Sequence, residues 1–128
     1  VRASYLARNI RPVAEAGLQD FVEGPGSVTD GVRVIPTPGH TPFHQSVLIE
    51  SDGEVACFLA DVCPTTAHVP LPWIMGYDLE PLVTLESKRG LWTRAREENW
   101  LLVFEHDPQV AWGRLDPGEE RPTLVEVD

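Results

Sequence analysis

Three prolines within seven residues, Pro36-Thr37-Pro38-Gly39-His40-Thr41-Pro42, constrain this chain more than anything else in it. Neither a helix nor a β-ladder runs through such a segment, because each proline fixes φ and lacks the backbone N–H. A β-branched run at 32–35 precedes it and a second strand-like run at 45–50 follows. The segment therefore reads as a stiff loop between two strands, with His40 at its centre.

The run at 45–50 is joined to another at 54–60 by Ser51-Asp52-Gly53, an Asp-Gly hairpin signal, and Asp61 ends the second strand. Upstream, residues 3–17 carry Leu6, Ile10, Val13 and Ala14 at helical spacing. Pro12 is expected to kink or divide that helix, and Gly17 to end it. Residues 18–23 read as a short strand before a turn at Gly24-Pro25-Gly26. Residues 62–77 form a long connection rich in Pro and Thr, of a length that usually serves a function. Asp78 is placed to cap a helix reaching about residue 98, with Leu82, Leu85, Trp92 and Ala95 on its apolar side. The run at 100–104 predicts a buried strand that delivers Glu105, His106 and Asp107 into a loop. Runs at 110–115 and 123–127 predict two last strands around the turn at Asp116-Pro117-Gly118.

A chain of 128 residues without internal repeats is one small domain spanning 1–128. Its formal net charge of −10 excludes a nucleic-acid backbone or an anionic membrane as the natural partner. No apolar run is long enough for a membrane span or a signal-peptide core. Two cysteines, Cys57 and Cys63, are too few for a disulfide framework, and a reducing cytoplasm is the expected compartment. The start at Val1, with no initiator methionine and no leader, reads as the interior of a longer chain.

His40, Asp61 and His106 stand out because each sits at or just beyond the end of a strand, where side chains from adjacent strands converge. Imidazole and carboxylate are the ligand types that zinc, iron and manganese share. Taken singly, each reads equally as a polar residue at a strand end. His44 and His68 read as locally bonded loop residues, on the supporting or substrate side of any site, and Asp107 as a carboxylate able to orient a neighbouring histidine. Cys63 reads as a buried, inert thiol.

The wording around the three residues is more specific. Thr37-Pro38-Gly39-His40-Thr41-Pro42-Phe43-His44, then Phe58-Leu59-Ala60-Asp61, then Phe104-Glu105-His106-Asp107 resemble, in order and spacing, the C-terminal half of the metallo-β-lactamase superfamily. The likeness is narrowest to its lactonase-like and organophosphate-hydrolase-like members and spans roughly residues 5–115. It implies an α+β fold, one half of an αβ/βα sandwich, with a mainly antiparallel sheet and flanking helices. It implies that His40 and His106 each bind one of two metals and that Asp61 bridges both and serves catalysis. The cofactor implied is zinc or another divalent transition metal, two per intact site, with the share held by this chain empty or partly occupied. The implied activity is metal-assisted hydrolysis of an ester, lactone or phosphoester-type small molecule.

The likeness departs at two positions: Phe43 replaces a motif glycine, and Pro64 stands where lactonase-like members often carry tyrosine. The family's His-x-His-x-Asp-His loop is absent from a chain whose four histidines are His40, His44, His68 and His106. Without it the isolated chain is expected to be inactive, and its sheet to need cover from the missing half or from a second copy of itself. The alternative is a non-catalytic domain that acts by association on a degenerate form of the same scaffold.

Overall fold

The computed structural model describes residues 6–119 and 121–127. Its centre is a seven-stranded sheet whose spatial order follows the chain: β1 (Gly26–Thr29), β2 (Val32–Pro36), β3 (Gln45–Ser51), β4 (Glu54–Phe58), β5 (Leu101–Val103), β6 (Trp112–Leu115) and β7 (Leu124–Glu126). Every neighbouring pair is antiparallel except β4 and β5. Two parallel neighbours need a long crossover, and it is supplied by the connection after β4 together with helix α2 (Pro81–Glu97). The mainly antiparallel α+β sheet expected from the sequence is the one found. The Asp-Gly hairpin forms as read: Ser51 pairs with Glu54, and Asp52 and Gly53 both adopt positive φ, 51° and 81°. That is the backbone of a two-residue primed turn.

Strand register assigns each side chain to a face. Leu48, Cys57 and Leu102 are cross-strand partners and are fully buried, and Ile35, Leu59, Phe104 and Leu115 join them in one core. Helix α2 closes this core with Leu91, Trp92 and Ala95. The opposite face is apolar too. Val32 pairs with Ile49, Val34 with Val47, Val47 with Phe58, Ala56 with Leu101, and Val103 with Trp112. Strands apolar on both sides belong to sheets covered on both sides. Among the described residues no helix lies over this second face, and Ile49, Trp112 and Val125 are 49%, 45% and 49% exposed.

Several expectations are corrected. Residues 18–23 form no strand; the first strand starts at Gly26, inside the expected turn. Helix α1 (Ala7–Glu15) continues through Pro12 and buries none of its residues, although its stripe reads as amphipathic. Residues 1–5, where that helix was expected to start, lie outside the described residues. Asp78 does not cap α2: Glu80 stands at the N-cap, without a side-chain bond, and Pro81 takes the first helical position, where its missing N–H costs nothing. The buried side of α2 is Thr84, Lys88, Leu91, Trp92 and Ala95, whereas Leu82 is 76% exposed. The helix is rotated by the demand to bring Thr84 under Gly39 and Lys88 under the preceding loop.

Candidate metal centre

The Pro-rich loop is fixed from three sides. Its two ends are bridged where Thr37 N–H donates to the His44 carbonyl at 2.9 Å. Below it, Ser87 Oγ donates to the Pro38 carbonyl at 2.7 Å, and the Leu79 and Glu80 N–H groups donate to the His40 and Gly39 carbonyls at 3.2 and 2.9 Å. Gly39 has φ 134°, and a Cβ there would run into the Thr84 backbone nitrogen. Glycine is the residue that lets this loop lie directly on the start of α2.

Asp61 is presented by a different device. Strand β4 ends at Phe58, and Ala60, at φ 51°, reverses the chain into a short 3₁₀ turn, Ala60–Val62. A left-handed alanine is unfavourable by itself, so something must hold the turn. His44 does so: the Asp61 N–H donates to its Nε2 at 3.1 Å. With Nε2 accepting, the ring hydrogen sits on Nδ1, which faces Thr37 Oγ1 at 2.8 Å and the Thr37 carbonyl at 3.1 Å. Thr37 in turn meets Ser46 Oγ at 2.9 Å, and Ser46 donates to the Leu59 carbonyl at 3.1 Å. One run of hydrogen bonds thus leads from the Asp61 amide through the loop and back to the end of β4. Burial, more than any nearby charge, holds the His44 pKa below 6.5 and keeps the ring in the neutral form this run requires.

His40, Asp61 and His106 are brought together. Asp61 Oδ2 lies 3.5 Å from His40 Nε2, and Asp61 Oδ1 lies 3.3 Å from His106 Nε2, so each carboxylate oxygen faces one imidazole. The other ring nitrogen of His40 lies 3.0 Å from Asp78 Oδ1. His106 follows β5, is tethered by its N–H to the Pro64 carbonyl at 3.1 Å, and also meets Glu105 Oε1 at 2.9 Å. Ligand atoms of Asp61, Glu105 and His106 all lie within 4.8 Å of one another.

Other candidates are placed elsewhere. His68 bonds within its own loop, Nδ1 to Thr65 Oγ1 at 2.8 Å. The Asp107 carboxylate does not orient His106; it accepts from Thr66 N and Oγ1 at 2.9 and 2.6 Å and from the Gln109 and Val110 amides. These bonds, led by the Thr66 hydroxyl, hold it well below the usual carboxylate range. Cys63 is fully buried, and burial pushes its thiol up to about 12, which leaves it inert at neutral pH. Asp78 and Lys88 are the residues that sequence reasoning missed. Asp78 reads as a helix cap and Lys88 lies within the expected helix, and only the three-dimensional contact gives either a different task.

No family model matches the chain. An N-acyl homoserine lactonase from a Bacillus species is 34% identical over 90 residues, which is 68% of this chain and 35% of the relative. The chain thus spans well under half the length of such relatives. A solved N-acyl homoserine lactone hydrolase, with the product N-hexanoyl-L-homoserine at its catalytic metal centre, superposes with a TM-score of 0.68 at 27% identity. The match covers 85% of this chain and 42% of that one. A solved hydrolase of the β-lactamase superfamily gives 0.78 at 20% identity, over 95% of this chain and 43% of its own, and so agrees in fold. The half-sandwich expected from the sequence is therefore the architecture present, and in sequence and fold the chain matches lactonase-like members of the metallo-β-lactamase superfamily over part of their length.

Proposed function

We propose that this chain carries one part of a two-metal hydrolase centre, with His40 and His106 each holding one divalent ion and Asp61 bridging the pair. The observation that carries the reading is the spacing around Asp61. Ligands sharing one ion at about 2.0–2.2 Å with tetrahedral angles stand about 3.4 Å apart. Asp61 meets the two imidazoles at 3.5 and 3.3 Å, too far for good hydrogen bonds and at the spacing of shared coordination. The residues present therefore fit the ions, zinc being the first choice. When bound, the ions supply Lewis acidity, polarising a substrate oxygen and making a water acidic near neutral pH.

The residues of this chain fix that chemistry in space. Asp61 would offer one carboxylate oxygen to each of the two positions and supply negative charge between the bound cations. His44 holds the Asp61 turn, and α2 holds the His40 loop. The remaining ligands belong to a segment outside this sequence, and the apolar face of the sheet is where that segment, or a second copy, packs. The substrate class is a small ester, lactone or phosphoester; at Pro64 no phenol is available to contact a lactone ring. Two buried free thiols suit a reducing cytoplasm, and no helix among the described residues is long and apolar enough to cross a membrane.

The test is reconstitution. The chain is combined with the complementary half of a homologous lactonase, bearing the His-x-His-x-Asp-His loop, and assayed on lactones, aryl esters and phosphotriesters. Zinc-dependent turnover that His106→Ala and Asp61→Asn abolish is expected. Turnover by the isolated chain at the rate of the combined halves, or turnover indifferent to both substitutions, contradicts the reading.

A further inference from the structure

We propose that Asp78 is the positioning residue of His40: its carboxylate keeps the imidazole hydrogen on Nδ1 and leaves the Nε2 lone pair turned toward Asp61. The inference rests on the metal-centre reading and adds to it a residue 38 positions away in sequence. A carboxylate oxygen without a hydrogen of its own accepts hydrogen bonds. The nitrogen that faces it at 3.0 Å is therefore the N–H, and the ligand nitrogen is the other one.

Three features make this contact more than a chance pairing. The Asp78 side chain is 1% exposed, and its second oxygen, Oδ2, is buried without a partner. Among the described residues His40 is its one side-chain hydrogen-bond partner, while the Lys88 ammonium acts on it through space without a bond. The backbone also enforces the contact, because Leu79 and Glu80 are bonded to the carbonyls of His40 and Gly39. Asp78 cannot slide away from the ring without breaking both. With no acceptor at 78, the ring is free to place its hydrogen on Nε2 and donate to Asp61, which would close the site on itself. Which ring nitrogen serves as ligand is set by the bond the other one makes.

The experiment is long-range proton–nitrogen NMR of the imidazoles in the full, metal-free chain on the alkaline side of imidazole titration. His40 is expected to show a protonated Nδ1 and a bare Nε2. Asp78→Leu, which removes the acceptor, should move the hydrogen to Nε2, while His44 keeps its Nδ1–H pattern as the sign of an intact fold. A wild-type His40 with its hydrogen on Nε2 overturns the proposal, as does a folded Leu variant with the wild-type pattern. If the Leu variant does not fold, the wild-type spectrum and the isosteric Asp78→Asn decide. The Asn variant retains an acceptor and the Nδ1–H form but loses the charge, so zinc should shift its His40 resonances at about 10–100-fold higher concentration than in wild type. Equal zinc response in the two overturns the proposal. Absence of any zinc response at wild-type His40 and His106 counts against the metal centre alone, and the tautomer result then stands independently.

Discussion

Lys88 sits in the middle of α2 with none of its surface exposed. Its ammonium lies among four carbonyls, those of His68, Pro70, Leu71 and Trp73, at 2.5, 3.0, 3.3 and 2.8 Å, which share its three N–H donors. Burial pulls its pKa below 10.5, yet four acceptors are what make a buried cation tolerable. Lys88→Met keeps the length of the side chain and strands those acceptors. It should cost about 2–4 kcal/mol, read as a lower denaturant midpoint at unchanged slope; a change below about 0.5 kcal/mol would show the carbonyls satisfied by water instead. Gly39→Ala should cost about 1–3 kcal/mol and displace the His40 loop, because φ 134° and the Thr84 backbone both oppose a side chain. Unchanged thermal stability in that variant would contradict the close approach. The two residues differ in legibility. Gly39 is readable because the Pro-rich context already demands a special backbone. Lys88 is not, because a charge in a helix normally faces water and only a distant loop reverses that; Asp78 is not, because its partner His40 lies 38 residues away.

At the scale of elements, strands were more legible than what joins them. The β3–β4 hairpin, the strand at Leu101–Val103 and the position of Asp61 follow from local alternation and turn chemistry, which act over a few residues. Strand β1 was not legible: its four residues bury little and exist because β2 offers an edge. Residues 62–77 read as a loop and are indeed irregular, but they are pinned by Lys88, by Trp92 Nε1 donating to the Val69 carbonyl at 2.9 Å, and by Asp107. Asp107→Ala removes four acceptor contacts at once, so amide exchange at Thr66, Gln109 and Val110 should accelerate together. Unchanged protection at all three would show the loops held by packing alone. Acid should loosen the same region. His44 and His68 are both held below 6.5, chiefly by burial. The unfolded chain therefore takes up protons first, and stability present above 6.5 falls as pH drops through that value toward the lowered folded pKa values. Thermal melts between about pH 8 and about pH 5 should show this slope, reduced in His68→Asn; a midpoint flat across that interval, or one rising toward acid, would contradict it.

Among the described residues the sheet has one fully covered face. Its second face carries Val32, Val47, Ile49, Ala56, Phe58, Leu101, Val103 and Trp112 in register, with Ile49 and Trp112 exposed, the others half-buried, and Val34 buried beside them. Covering it stabilises by roughly 25 cal/mol for each Å² removed from water. Sedimentation at about micromolar concentration should therefore find the isolated chain self-associated, with Ile49→Lys and Trp112→Glu shifting it toward monomer. A clean monomer that binds no apolar dye would contradict an unmet face. This feature is readable in the sequence as strands apolar at consecutive positions.

The proposed gathering of His40 and His106 by Asp61 around divalent metal is tested most directly by a zinc titration of the chain followed at the imidazole resonances of all four histidines. Weak binding is expected if the two imidazoles serve different ions, with His40 and His106 responding together while His44 and His68 stay still, and with Asp61→Asn abolishing both responses. A response led by His68, tight stoichiometric binding that survives Asp61→Asn, or silence at His40 and His106 up to about millimolar zinc would contradict it.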